Sequence, residues 1–132
     1  MNFSKLLGPE KKKKPERAPC AWSVRFRELG RENQARHAFH AAKCRVIGED
    51  GMEITSLIPL TPKRFVLVNL DFKTLETAVP VKNILTFSDA CVLTEVKRRH
   101  LNLETGLFEA ELKFIEASRA EEFEAVFKQI PA

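Results

Sequence analysis

Alternation is the feature that constrains this chain most. In Arg64-Phe65-Val66-Leu67-Val68-Asn69-Leu70-Asp71-Phe72, the residues Val66, Val68, Leu70 and Phe72 make one unbroken apolar face at a period of two. Side chains point to opposite faces at successive positions of a strand, so this pattern buries one side of a sheet and leaves a helix no apolar stripe. The same period returns elsewhere. Trp22, Val24 and Phe26 alternate with Ser23, Arg25 and Arg27, while Phe108, Ala110, Leu112 and Phe114 alternate with Glu109, Glu111 and Lys113.

The segments between these runs read as punctuation. Residues 29–37 are polar and hold Gly30 and Asn33, which predicts a turn or short excursion before a second strand over 38–47. Gly48-Glu49-Asp50-Gly51 follows as a turn in which Asp-Gly can supply a positive φ, and a third strand is expected over 52–58. Pro59 and Pro62 bracket a loop, since proline has no N–H for a central ladder. A polar turn is expected over 73–77. Residues 79–96 are rich in β-formers and are broken by Pro80 and Ser88-Asp89, giving one long bent strand or two. Residues 102–106 make the last turn before the strand at 107–115.

Ser118-Arg119-Ala120-Glu121 has the spacing of a capping box, and Phe123, Val126, Phe127 and Ile130 fall at i, i+3, i+4 and i+7 before Pro131. The expected fold is mainly β: six or seven antiparallel strands in a barrel or sheet, closed by one C-terminal α-helix. Residues 1–12 read as a flexible basic N-terminal tail, and residues 13–132 as the folded domain. A chain of 132 residues with 44% hydrophobic content can build one core without disulfides or metal.

Cys20, Cys44 and Cys91 form no CxxC pair and lie in or beside apolar stretches, so they are expected to be reduced, buried thiols of an intracellular protein. No apolar run approaches the ~20 residues of a membrane span, and the first ten residues hold no signal-peptide core. A cytoplasmic, soluble protein is expected. The formal charge of +4 is unevenly placed: Lys11, Lys12, Lys13, Lys14 and Arg17 form one cluster, and Lys97, Arg98 and Arg99 another. Local basicity favours capture of an anion at one place over coating of a long nucleic acid.

No catalytic constellation is legible. His37, His40 and Cys44 could be drawn as zinc ligands, but an odd spacing puts the two histidines on opposite faces of a strand, and no fourth ligand follows. His100 beside Arg98 and Arg99 has no nucleophile turn near it, and Ser88-Asp89 lacks the glycines of one. The carboxylates are scattered, and phosphate-binding glycine motifs are missing. A non-enzymatic role without cofactor or metal is expected.

Two features keep functional content: Lys13-Lys14-Pro15-Glu16-Arg17 ahead of the first strand, and the glycine-ended turn between the next two. This pairing resembles the PilZ domain family, small β-barrels with a C-terminal helix, many of which are cyclic di-GMP receptors. The family signature is RxxxR in an N-terminal switch segment and [D/N]xSxxG after the second strand. Lys13 to Arg17 stands where RxxxR would be, with lysine at the first position. Val46-Ile47-Gly48-Glu49-Asp50-Gly51 stands at the second motif and keeps its final glycine. Met52-Glu53-Ile54 resembles the family's third strand, and the stretch from Glu111 to Ser118 its last strand and helix start.

The resemblance implies a ligand site built on Lys13, Lys14, Arg17, Gly48 and Gly51. The departures carry chemistry. Lysine replaces the arginine fork with a point charge, and Val46 and Gly48 offer no polar side chain to a ligand. Each unmade contact costs roughly 1–3 kcal/mol. The reading that follows is a PilZ-like regulatory or adaptor domain of the cyclic di-GMP signalling type, acting on an unidentified protein partner with nucleotide binding weak or lost. The alternatives are a working cyclic di-GMP receptor using Lys13 and Arg17, and a barrel that binds single-stranded nucleic acid on aromatic platforms. The last is disfavoured because Phe26, Phe72, Phe108 and Phe114 are expected to face inward.

Overall fold

Each alternating run becomes a strand. The computed structural model describes residues 17–29, 39–87 and 90–125. They form β1 (Arg17–Glu28), β2 (His40–Gly48), β3 (Gly51–Ser56), β4 (Phe65–Asn69), β5 (Thr86–Phe87), β6 (Cys91–Asn102) and β7 (Leu107–Phe114). The proposed tail, Lys13, Lys14, His37, Ser88-Asp89 and the apolar positions from Val126 onward lie outside the described residues.

Every ladder is antiparallel, in the order β4-β1-β2-β3-β7-β6-β5, and a further pairing of β4 with β6 closes the ring. The result is a six-stranded barrel with β5 as an added strand. Closure is the solution available to a sheet with one apolar face, because it buries that face and pairs its edges together. Val24, Phe26, Cys44, Met52, Ile54, Val66, Val68, Val92, Val96 and Leu112 fill the interior.

A second apolar cluster lies on the outside of β4 and β6, where Leu67 and Leu93 pack with Leu29, Leu85, Ile115 and Phe123. These two strands are therefore covered on both faces. That explains why Phe65-Val66-Leu67-Val68 and Cys91-Val92-Leu93 are continuous apolar runs beneath the alternation. Thr94 is fully buried between them, and its hydroxyl donates to the Val66 carbonyl at 3.0 Å.

The structure corrects several boundaries. β1 starts at Arg17, not Trp22, and β3 ends at Ser56, whose hydroxyl donates to the Ile58 carbonyl at 2.6 Å and accepts from the Ile58 N–H at 3.2 Å. Phe72 belongs to no strand. Asp71 accepts from the Lys73 N–H at 3.0 Å and caps a short helix, α1 (Phe72–Glu76), where a polar turn was expected. Residues 79–96 resolve into a 3-10 turn (Val81–Asn83), then β5 and β6. Phe108 is only half-buried, with the Arg99 guanidinium 5.7 Å from its ring centre, because the β6–β7 hairpin runs on past the barrel wall.

The capping box does not form. The described segment after β7 is a 3-10 helix (Ala117–Phe123) whose N-cap is Glu116 without a side-chain cap bond, and Arg119 breaks its regularity at φ −94°, ψ 15°. Tertiary packing overrides the local signal. The path places Phe123 edge-on to Phe65, ring centres 4.9 Å apart, while Arg119 pairs with Glu122 instead of leaving Ser118 and Glu121 to cap each other. The expected C-terminal α-helix is thus 3-10 through Phe123, with only 124–125 helical among the described residues beyond it.

β1 is paired unevenly. β2 lines it from Arg17 to Phe26, but β4 reaches only Arg25 to Glu28, so the first half of β1 has one partner among the described strands. Pro19 and a register slip before Trp22 fall in that half.

Arg27 also departs from the outward polar face expected of it. It is only 6% exposed, its guanidinium sits 4.9 Å from the Phe39 ring centre, and its Nε has no hydrogen-bond partner among the described residues. An orphaned buried donor costs free energy. Arg27→Met keeps the aliphatic stem and removes that donor, so urea unfolding is expected to show a gain of about 1 kcal/mol. A loss of similar size would mean that the ring contact outweighs the orphaned donor.

Candidate ligand site

The β2–β3 hairpin sets the geometry. Ile47 pairs with Met52, leaving Glu49 and Asp50 as the loop, and Arg17 is in register with Gly48 across β1 and β2. Folding thus brings the last residue of the basic segment beside the turn. The signal for this lay in the antiparallel order of two strands separated by a connection.

The glycines of that turn have a different physical basis from the one expected. Among the described residues only Lys63 and Gly106 have left-handed φ values, so neither Asp50 nor Gly51 needs one. Gly51 is instead required by space. A Cβ there would sit 2.0 Å from the Leu112 carbonyl oxygen, where β3 runs against β7. The Asp50 carbonyl accepts from the Phe114 N–H at 2.9 Å, fastening the turn to the same strand. Close backbone approach at Gly51 is therefore made by β7.

Beside this turn lies a cleft of about 280 Å³ lined by Glu49, Asp50, Asn83, Lys113, Phe114 and Glu116. Among the described residues that line it, three are acidic (Glu49, Asp50 and Glu116) and one, Lys113, is basic. A larger open cleft of about 600 Å³ lies elsewhere, where Arg25, Lys43, Asn69 and Asp71 meet Leu57 and Leu107. Alternation puts Arg25 on an outward face but does not show that Lys43 and Asn69 converge with it. Only the ladders Ser23↔Lys43 and Arg25↔Asn69 reveal that.

No family model, no curated protein and no solved structure matches this chain. The site is therefore described by its own residues.

The remaining described candidates have neighbours within the fold. His40 packs its ring 5.5 Å from that of Phe26, and Cys44 is fully buried. The described residues hold no group of three His, Cys, Asp or Glu that could bind a metal ion. Arg98 pairs with Glu111 at 2.8 Å, and Arg99 reaches the Leu60 carbonyl at 3.5 Å, so part of the second basic cluster is engaged within the fold. His100 lies in register with Glu109. No helix among the described residues is long and apolar enough to cross a membrane.

At the end of β3 remote from the turn, Leu57 is 76% exposed and Leu103, at the β6–β7 tip, 86%. Leu101 and Ile58 are also exposed, and the registers Ser56↔Phe108 and Leu101↔Phe108 bring these segments to one end of the barrel. Sequence reading had not singled them out.

Proposed function

We propose that this protein is a PilZ-like regulatory or adaptor domain that acts through a protein partner, with cyclic di-GMP binding weak or lost. The observation that carries the reading is the turn itself. Gly51 is committed to packing against Leu112, and the described residues lining the adjoining cleft include three acidic side chains and one basic one. The exposed leucines at the opposite end of β3 support a partner surface, since clustered exposed apolar side chains mark interaction sites.

Titration of the full chain with cyclic di-GMP tests this. About three signature contacts are missing, at roughly 1–3 kcal/mol each, so affinity is expected to fall by about 10²–10⁶-fold relative to an intact site. Calorimetry should show no saturable heat at micromolar ligand. Submicromolar binding that Arg17→Ala abolishes would instead establish the working receptor. That second reading draws its support from the Arg17↔Gly48 register. For the partner surface, a Leu57→Ser, Leu103→Ser double variant is expected to keep its melting temperature while losing proteins that the unaltered chain retains.

A further inference from the structure

Cys20 and Cys44 are 24 positions apart in sequence, yet their Sγ atoms lie 3.2 Å from each other. Two ladder irregularities produce the meeting. Cys20 lies where the β1–β2 register slips between Pro19 and Trp22, and Cys44 where the β2–β3 register slips before Val46. The Cys20 thiol also reaches the Cys44 carbonyl at 3.3 Å, and the Cys44 thiol donates toward the Val46 carbonyl at 3.6 Å. Bulges re-aim side chains, and here they aim two sulfurs at each other.

Access to the pair is asymmetric. Cys44 has no exposed surface, whereas Cys20 is half-buried at the barrel wall. The third thiol, Cys91, is buried elsewhere and accepts from the Asn69 amide at 3.7 Å.

We propose that Cys20 and Cys44 form an oxidative modification site, at which a hydroperoxide converts the two thiols to an intrachain disulfide joining β1 to β2. The Cys20 thiolate attacks one peroxide oxygen and the O–O bond breaks, leaving a sulfenic acid on Cys20 and releasing water once the departing oxygen takes up a proton. The Cys44 sulfur then attacks Cys20 Sγ. Its proton goes to the departing hydroxyl, which leaves as a second water. Two thiols lose two electrons and two protons, and one hydroperoxide is reduced. For an alkyl hydroperoxide one product is the alcohol.

The roles follow from the environment. Burial, and then the adjacent Cys20 sulfur, push the Cys44 thiol far above the usual cysteine range, which keeps it from attacking first, and its place 3.2 Å from Cys20 Sγ makes it the resolving group. Forming the bond asks for roughly 1 Å of sulfur movement to reach the ordinary S–S length. The bridge would clamp the half of β1 that has only β2 beside it among the described strands, three residues from Arg17 and its Gly48 partner. This inference does not depend on whether any nucleotide binds.

The full chain treated with stoichiometric hydrogen peroxide is expected to lose the mass of two hydrogens. A non-reduced digest should contain the Cys20 peptide joined to the Cys44 peptide, with Cys91 alkylatable after unfolding. Dithiothreitol should restore the starting mass. Cys20→Ser should abolish the conversion and Cys91→Ser should leave it intact, both with circular dichroism matching the unaltered chain. In Cys44→Ala, Cys20 should instead accumulate added oxygen. Oxygen added to Cys20 in the unaltered chain without a bridge, a bridge between two chains, or no reaction with peroxide would each overturn the proposal.

Discussion

Gly51→Ala is expected to lower stability by about 3 kcal/mol or more, a large share of the roughly 5–15 kcal/mol that holds a domain folded. The added methyl would lie 2.0 Å from the Leu112 carbonyl oxygen, and backbone atoms of Leu112 and Lys113 crowd it at 3.1 Å. None of these is a side chain that can swing away. Relief requires β3 and β7 to move apart by more than 1 Å, roughly the shortfall from van der Waals contact. That movement would break a ladder running from Gly51↔Lys113 to Ser56↔Phe108. Urea unfolding followed by tryptophan fluorescence reads the loss directly, since Trp22 packs against the main core. A melting temperature within a few degrees of the unaltered chain would refute the steric account. The result also governs how ligand experiments are read: a Gly51 variant that binds nothing reports a disturbed β3–β7 contact, so Arg17 is the informative position.

Phe123→Ala is expected to cost about 3–5 kcal/mol, the range for emptying a buried phenylalanine site. Phe123 is almost fully buried and stands edge-on to Phe65, closing the cluster that contains Leu67, Leu93 and Ile115. Removing its ring uncovers the outer faces of β4 and β6, the two strands that complete the barrel. Phe123→Leu should recover a large part of the loss, because it restores volume without the ring contact. In a double-mutant cycle with Phe65→Leu, the residual coupling should be about 0.5–1.5 kcal/mol. A loss below about 1 kcal/mol for Phe123→Ala would show that the 3-10 segment rests on the barrel without stabilising it.

The strands were readable because period-two patterning is written locally, as Val24 and Phe26 or Ala110, Leu112 and Phe114 show. Their ends were less so. β4 stops at Asn69 because Asp71 caps α1, and nothing in the run from Val66 to Phe72 distinguishes a continuing strand from that helix. The capping box at Ser118 was a sound local signal defeated by a distant one, since Phe123 packs on Phe65 across more than fifty residues. At the candidate site, the glycine at 51 was found but assigned the wrong cause, because crowding by Leu112 exists only once β3 meets β7. The convergence of Arg25 with Lys43, and of Cys20 with Cys44, depends on register and bulges. Both are products of the assembled ladders and leave no trace in spacing along one strand.

The stretch of β1 that has one partner among the described strands has a consequence for the protein in concentrated solution. A strand with a free side is a template on which another chain can lay a strand of its own, and runaway addition of this kind is how barrels that fail to close begin to aggregate. Pro19 deletes one donor from that stretch, and the slip before Trp22 bends it. The same irregularity that turns Cys20 toward Cys44 therefore also makes that stretch a poor landing place for a neighbour's strand, and straightening it is expected to make the chain more prone to aggregate.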